Sequence, residues 1–299
     1  MTRTQGGSKT FQEPTVQRSG HRIYVRDYPG EGNPILLMHG FPDNLHLYDR
    51  VVPHMTPTRR VVTFDFLGWG LSDKPASYRP TARNQLREVE TVIDELGLED
   101  PVLVVHDASG PPGIDWALLH PDRVAALVLL NTYYQWTPSL RRPGAIALYS
   151  TPVVRATARA IVRRSDGFDR WLYFWQVGRF IRDPQVRKEV VPRLYSDFRA
   201  ERPAFWALND DLLTTAISRR RMIPNMRTFP RPVRIIFGDA DPYLNKRVAR
   251  KFHELFPTSE LFLVPGARHY VQIDEPEEVA RLILSTPTGS SDRCPVSRV

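Results

Sequence analysis

Leu103-Val104-Val105-His106-Asp107-Ala108-Ser109-Gly110 is the stretch that decides the fold. Its first half is an unbroken apolar run, the pattern of a strand buried on both faces of a parallel sheet. The run ends on a carboxylate. Three small residues follow, and small residues let a backbone turn sharply and leave the apex side chain exposed. A helix is expected next, from Gly113 to Leu119. The whole reads as strand, tight elbow and helix, with Asp107 at the apex. Two competing readings exist. Asp107 can cap the following helix, and Ser109 can be the reactive side chain. Ser109 would leave a longer gap after the strand, with Pro111 only two residues beyond it.

Outward from the elbow, short apolar runs alternate with helical periodicity. Arg22 to Arg26 alternates as a first strand, and Pro34 to His39 and Val61 to Phe66 read as buried strands. Thr81 to Leu98 reads as a helix, with Thr81 as cap, Leu86, Val89, Ile93 and Leu96 on one face and Gly97 at its end. Val124 to Leu130, Val233 to Phe237 and Leu261 to Val264 read as further strands. Lys246 to Leu255 and Glu277 to Leu284 read as helices. This alternation predicts an α/β protein with a mostly parallel sheet flanked by helices. From Tyr133 to Pro230 the alternation stops, and the sequence is helical, aromatic and rich in arginine. The expected organisation is a core of residues 20–132 and 231–286, an all-helical cap at 133–230, and flexible termini at 1–19 and 287–299.

Composition sets bounds on partners. The 299 residues are 41% hydrophobic and 25% charged, ordinary for a soluble enzyme. No apolar run approaches the roughly 18–20 residues that span a bilayer, so no membrane insertion is expected. The N-terminal stretch is polar, and Cys294 alone cannot form an intrachain disulfide, which together point to a cytoplasmic setting. The net charge of +8 is unevenly placed. Residues 133–230 hold 18 basic and 8 acidic side chains, and the remainder holds 23 basic and 25 acidic ones. No nucleic-acid-binding motif accompanies this excess, so a nucleic-acid partner is not expected. The basic surface reads as a solvated face or as a rim that favours anionic or phenolic compounds.

Ligands of an open parallel sheet bind beyond the carboxyl ends of its strands, where three further elements converge with Asp107. His269 lies in Gly266-Ala267-Arg268-His269-Tyr270, after the last strand, and is suited to act as a base near neutral pH. Asp241 lies in Gly238-Asp239-Ala240-Asp241-Pro242 and would orient the His269 ring. Asp239 competes but is nearer the strand end, and the preceding strand ends in Asn131-Thr132, without a carboxylate. His39-Gly40-Phe41-Pro42 follows another strand. The Phe41 and Ala108 amides are candidates for an oxyanion hole. His39 and His106 are also candidates for the pocket wall.

With these residues in place, the chain resembles the α/β-hydrolase superfamily and, within it, the branch of epoxide hydrolases and haloalkane dehalogenases. The resemblance runs from about Arg22 to Leu284. It includes Asp65-Phe66-Leu67-Gly68-Trp69-Gly70-Leu71-Ser72-Asp73, His120-Pro121-Asp122-Arg123-Val124, and the chain order nucleophile, acid, histidine. It implies an α/β-hydrolase fold and a cofactor-independent enzyme without a metal. Asp107 would be the nucleophile and form an alkyl ester, and water activated by His269 would hydrolyse that ester. An epoxide oxygen calls for an acidic hydroxyl opposite the nucleophile, and a halide calls for N–H donors. Haloalkane dehalogenases commonly carry tryptophan after the nucleophile and asparagine after His-Gly; here Ala108 and Phe41 stand there. These departures favour epoxide hydrolysis to a diol over dehalogenation. A ligand-binding homologue without turnover is the alternative from another class. Candidate donors and pocket residues in the cap are Tyr173, Trp171, Trp206, Tyr133 and Tyr134, each of which can also be cap packing. The expected partner is a small hydrophobic or aromatic molecule, such as a bulky secondary metabolite.

Overall fold

The computed structural model describes residues 11–56 and 58–288. The outer parts of both expected flexible termini, with Cys294, lie outside the described residues. A hairpin of β1 (Val16–Arg18) and β2 (His21–Ile23) precedes a seven-stranded sheet. The sheet contains β3 (Val25–Tyr28), β4 (Ile35–Met38), β5 (Val61–Phe64), β6 (Val102–Asp107), β7 (Ala126–Thr132), β8 (Val233–Gly238) and β9 (Ser259–Val264). Its spatial order is β3-β5-β4-β6-β7-β8-β9, with β3 antiparallel to β5 and the other pairings parallel. Every residue of β4, β5, β7 and β8 is buried, which is why these strands are continuous apolar runs rather than alternating ones.

Helices α1 (Ala82–Glu95) and α2 (Gly110–Leu119) pack together, and α8 (Lys246–Leu255) covers β8 and β9. The Thr81 side chain accepts from the Asn84 amide at 3.2 Å to cap α1, and Gly97 takes φ +56° just past its end. Between β7 and β8 come α3 (Gly144–Ser150), α4 (Pro152–Arg164), α5 (Asp166–Val177), α6 (Pro184–Ser218) and α7 (Ile223–Arg227), with no strand among the described residues there. After β9 follow α9 (Val271–Asp274) and α10 (Pro276–Leu284). No helix among the described residues is long and apolar enough to cross a membrane.

The helical insertion is pinned to the sheet's loops by buried charge. Glu201 on α6 accepts from the Gly70 amide at 2.7 Å, and Arg202 pairs with Asp169 on α5, both side chains being buried. Asp65, at the end of β5, accepts from the Leu45 and Leu71 amides at 2.7 and 2.8 Å. The Asp65–Asp73 stretch is thus a hub of backbone amides satisfied by carboxylates.

Three local expectations are corrected. The first expected strand divides at Tyr24, because β2 pairs with β1 while β3 pairs with β5. Residues 11–19 are tied down rather than loose where described: Gln12 bridges to Asp27, and Val16 is fully buried. Helix α2 also begins three residues earlier than its periodicity suggests. Pro111 and Pro112 sit in its first turn, where a missing N–H costs no hydrogen bond.

Candidate functional site

Asp107 sits where β6 breaks register against β7, at φ +46°. A left-handed conformation is costly for any residue with a Cβ. The neighbours that enforce it are small of necessity. A Cβ on Gly40 would lie 2.6 Å from that of Asp107, and a Cβ on Gly110 would lie 2.5 Å from the Tyr133 carbonyl. The Ser109 hydroxyl is turned into the core, accepting from the His106 amide at 2.8 Å and facing the Met38 and His106 carbonyls. It is not available as a rival nucleophile.

The Asp107 carboxyl lines a cavity of about 590 Å³. Its Oδ2 accepts from the Phe41 amide at 3.3 Å, and the Ala108 amide also donates to the carboxyl. Its Oδ1 lies 4.0 Å from His269 Nε2, too far for a hydrogen bond. On the ring's other side, His269 Nδ1 is 2.8 Å from Asp241 Oδ2. Asp241 is buried and held by four contacts in all. The Tyr243 and Leu244 amides donate to Oδ1 at 2.8 and 3.2 Å, Asn131 Nδ2 donates to Oδ2 at 2.9 Å, and His269 itself approaches the same Oδ2. Asp239 instead faces outward and accepts from the Gly266 amide at 2.7 Å.

Burial is the largest single influence on each of the three groups, but it sets the direction only for Asp107. It pushes the Asp107 carboxyl up to about 6, against the pull of the His269 charge and the two amides. Burial also depresses the His269 imidazole, but the adjacent Asp241 and Asp107 charges outweigh it, so its pKa is raised. For Asp241 burial works upward and is outweighed by His269 and the donors around it, so its pKa is lowered. Geometrically the site offers a carboxyl that receives two backbone amides at the wall of a cavity, and an imidazole that lines the same cavity with its Nε2 4.0 Å from that carboxyl.

The remaining sequence candidates separate cleanly. Tyr133 and Tyr173 line the cavity, together with Phe41. The Tyr173 hydroxyl donates to the Pro42 carbonyl at 3.2 Å. Tyr133 is held fully protonated by burial and by the Asp107 charge. Trp171 faces away from the cavity, 57% exposed and stacked between Phe168 and Trp175. Trp206 packs under the Arg159 and Arg163 guanidiniums, and the Tyr134 hydroxyl donates to Asp115, so neither lines the cavity. His39 accepts from the Phe66 amide at 3.1 Å, and His106 Nε2 lies 3.1 Å from the His269 carbonyl. Both histidines are buried behind the site and have their pKa lowered by that burial.

Sequence reasoning missed Asn131, whose Oδ1 accepts from Gly238 while its amide reaches Asp241. It also missed a buried pair behind the triad, in which the Tyr270 hydroxyl donates to Asp43. Burial raises the Asp43 carboxyl to about 7. Adjacency to Phe41 and His269 was the signal available for both partners. Among the described residues, no group of three or more His, Cys, Asp or Glu side chains is arranged to hold a metal ion.

An elbow at the end of a parallel strand, with acid and histidine after the last two strands of the sheet, defines a hydrolase of the α/β class. A sequence profile described as the alpha/beta hydrolase fold matches residues 33–276, and the chain belongs to that family. Haloalkane dehalogenase 2 of Mycobacterium tuberculosis is 26% identical over 283 residues, which cover 92% of this chain and 94% of that protein. The cis-3-alkyl-4-alkyloxetan-2-one decarboxylase of Shewanella oneidensis is 25% identical over 280 residues, 90% of this chain and 86% of that one. The crystal structure of the haloalkane dehalogenase DatA from Agrobacterium tumefaciens C58 shares the fold, with a TM-score of 0.77 at 22% identity, covering 92% of this chain and 95% of that one.

Proposed function

We propose that the protein opens epoxides to diols through an alkyl ester on Asp107. The supporting observation is the division of labour between the two Asp107 oxygens. Oδ2 accepts from the Phe41 amide, while Oδ1 lies 4.0 Å from His269 Nε2, too far to be hydrogen-bonded to it, and both residues line the cavity. In the first step Oδ1 attacks an epoxide carbon, the carbon–oxygen bond of the ring breaks, and the ring oxygen takes the proton of a cavity phenol, which the phenolate regains when the Asp107 carboxyl set free by ester hydrolysis ionises. Tyr133 is the cavity phenol favoured for this role, being protonated and close enough to feel the Asp107 charge. Esterification removes that charge, which is one of the causes holding the His269 pKa up. The imidazole pKa then falls, which leaves the ring in the neutral form that can accept a proton. Water beside Nε2 loses a proton to it and attacks the ester carbonyl, whose oxygen is already seated against the Phe41 and Ala108 amides. Collapse releases the diol, with the proton returned from His269 to the leaving alkoxide.

Haloalkane dehalogenation is the second reading, and the named dehalogenase relative supports it. Against it, Trp136 is the one indole lining the cavity among the described residues, and it is 44% exposed. His269→Gln incubated with epoxide and haloalkane panels decides between them. By intact mass, an epoxide adds whole to Asp107, whereas a haloalkane adds without its halogen. The expected result is a whole-mass epoxide adduct. Absence of an adduct from either panel, with turnover unchanged in Asp107→Ala, overturns the covalent mechanism. Absence of turnover in the wild type as well favours a binding role.

A further inference from the structure

The cavity's charge is not balanced. Its lining contains three carboxylates. Asp107 belongs to the site just described. Asp169 pairs with Arg202, and Asp210 pairs with Arg155 at 2.6 Å and with Arg159 at 3.0 Å. Each acid of the insertion that faces the cavity is therefore already neutralised by an arginine of the insertion. Arg141 and Arg142 line the same cavity and are exposed to solvent, which places them at its mouth. Arg142 donates to the Ser150 hydroxyl at 3.1 Å, and neither guanidinium pairs with an acid among the described residues. Their backbone is fixed, since the Arg141 amide donates to the Tyr243 carbonyl at 3.2 Å and Asn245 holds the Ser139 carbonyl at 2.8 Å. Most of the remaining wall is apolar, with Leu140, Ile146, Leu172, Phe180, Phe198 and Leu244 in it.

We infer that the cavity takes an apolar molecule ending in a carboxylate, held at the mouth by Arg141 and Arg142 while its body fills the apolar walls. This rests on the reading of Asp107 as the reacting group, because it places the reactive carbon at the opposite end from the charge. The chemistry favours it in three ways. A guanidinium offers a planar fork that matches a carboxylate. A volume of about 590 Å³ lies within the range of sites that enclose drug-sized ligands. Holding the anion at the mouth keeps it away from the Asp107 charge at the floor, and the basic excess of residues 133–230 draws anions toward that mouth.

Calorimetry with decanoate and decanamide, which share a chain and differ in charge, tests the inference without any reaction. The wild type should bind decanoate at least tenfold more tightly than decanamide at low salt. In Arg141→Gln/Arg142→Gln that preference should fall to within threefold, with decanamide affinity and the thermal melt unchanged. Equal binding of the two compounds, no binding of decanoate, or a preference that survives the double substitution overturns the inference. A parallel arm exposes His269→Gln to a terminal epoxide with and without a distal carboxylate. If neither alkylates Asp107, the hydrolytic reading fails, while the calorimetry still decides the mouth.

Discussion

Moving the orienting acid from one strand end to the next tests the wiring of the triad. Asp241 Oδ2 receives two donors, His269 Nδ1 at 2.8 Å and Asn131 Nδ2 at 2.9 Å. The end of the Asn131 side chain therefore stands beside the oxygen that holds the imidazole. Asp241→Asn removes the charge that offsets the burial of His269. The imidazole pKa should therefore fall. Decay of the ester on Asp107 should slow by about 10³–10⁴-fold, the scale known for losing the orienting carboxylate of a triad. Adding Asn131→Asp in the same chain returns a carboxylate to the pair, and its Oδ1 can still accept from Gly238. The double variant should recover at least tenfold of the lost rate and most of the imidazole pKa. Histidine NMR titration gives the second quantity without a substrate, and single-turnover mass spectrometry gives the first. If Asp241→Asn leaves the His269 titration in place, or ester decay stays within threefold of wild type, Asp241 is not the orienting acid.

Because Asp107 attacks only when ionised and its carboxyl is raised to about 6 even against the pull of the His269 charge, ester formation in His269→Gln, which lacks that pull, should rise with pH through a midpoint no lower than about 6 and run at least roughly tenfold slower at pH 5 than on the plateau, read by quench-flow mass spectrometry. Tyr133→Phe should slow alkylation by an epoxide by about 10²-fold and leave alkylation by a haloalkane within threefold, measured side by side. Glu88 is buried, accepts from the Leu67 amide at 2.7 Å and is raised to about 8 by burial. A raised folded pKa contributes stability below the unfolded value, near 4.5, that is lost as pH climbs through about 8. Glu88→Gln should therefore raise the melting temperature at pH 8.5 by about 2–6 °C and change it little at pH 5, by calorimetry. At Gly70, with φ +48°, a Cβ would fall on the Asp65 carboxylate. Gly70→Ala should thus cost about 2–5 kcal/mol in denaturant melts.

The sheet was legible because each central strand is buried on both faces, and a strand so placed must be apolar throughout. Its strand ends then located Asp107, Asp241 and His269 by spacing alone. Hairpin β1–β2 was not legible, because three-residue strands carry too little alternation to separate from a loop. The helical insertion showed its class but not its facing. Trp171, Tyr173 and Trp175 lie within one and a half turns of a helix, and only the packing of α5 against α6 turns Tyr173 inward while leaving the two tryptophans 57% and 40% exposed. Asn131 was passed over because only a carboxylate was sought there. Its amide nonetheless donates to the Asp241 carboxylate.

The same facing problem explains why the reaction class turns on the insertion rather than on the triad. A raised Asp107 carboxyl, a paired His269 and a two-amide nest serve any electrophile that leaves an alkyl ester. What separates an epoxide from a halide is the group that receives the departing atom. The two positions beside the nucleophile that could supply an N–H side chain are Ala108 and Phe41, and neither does. The receiving group must then come from the cavity walls, where the phenols of Tyr133, Tyr149, Tyr173 and Tyr243 outnumber the single indole at Trp136. Phenols hydrogen-bond to an alkoxide and can give it a proton, so the walls are better matched to a ring oxygen than to a halide.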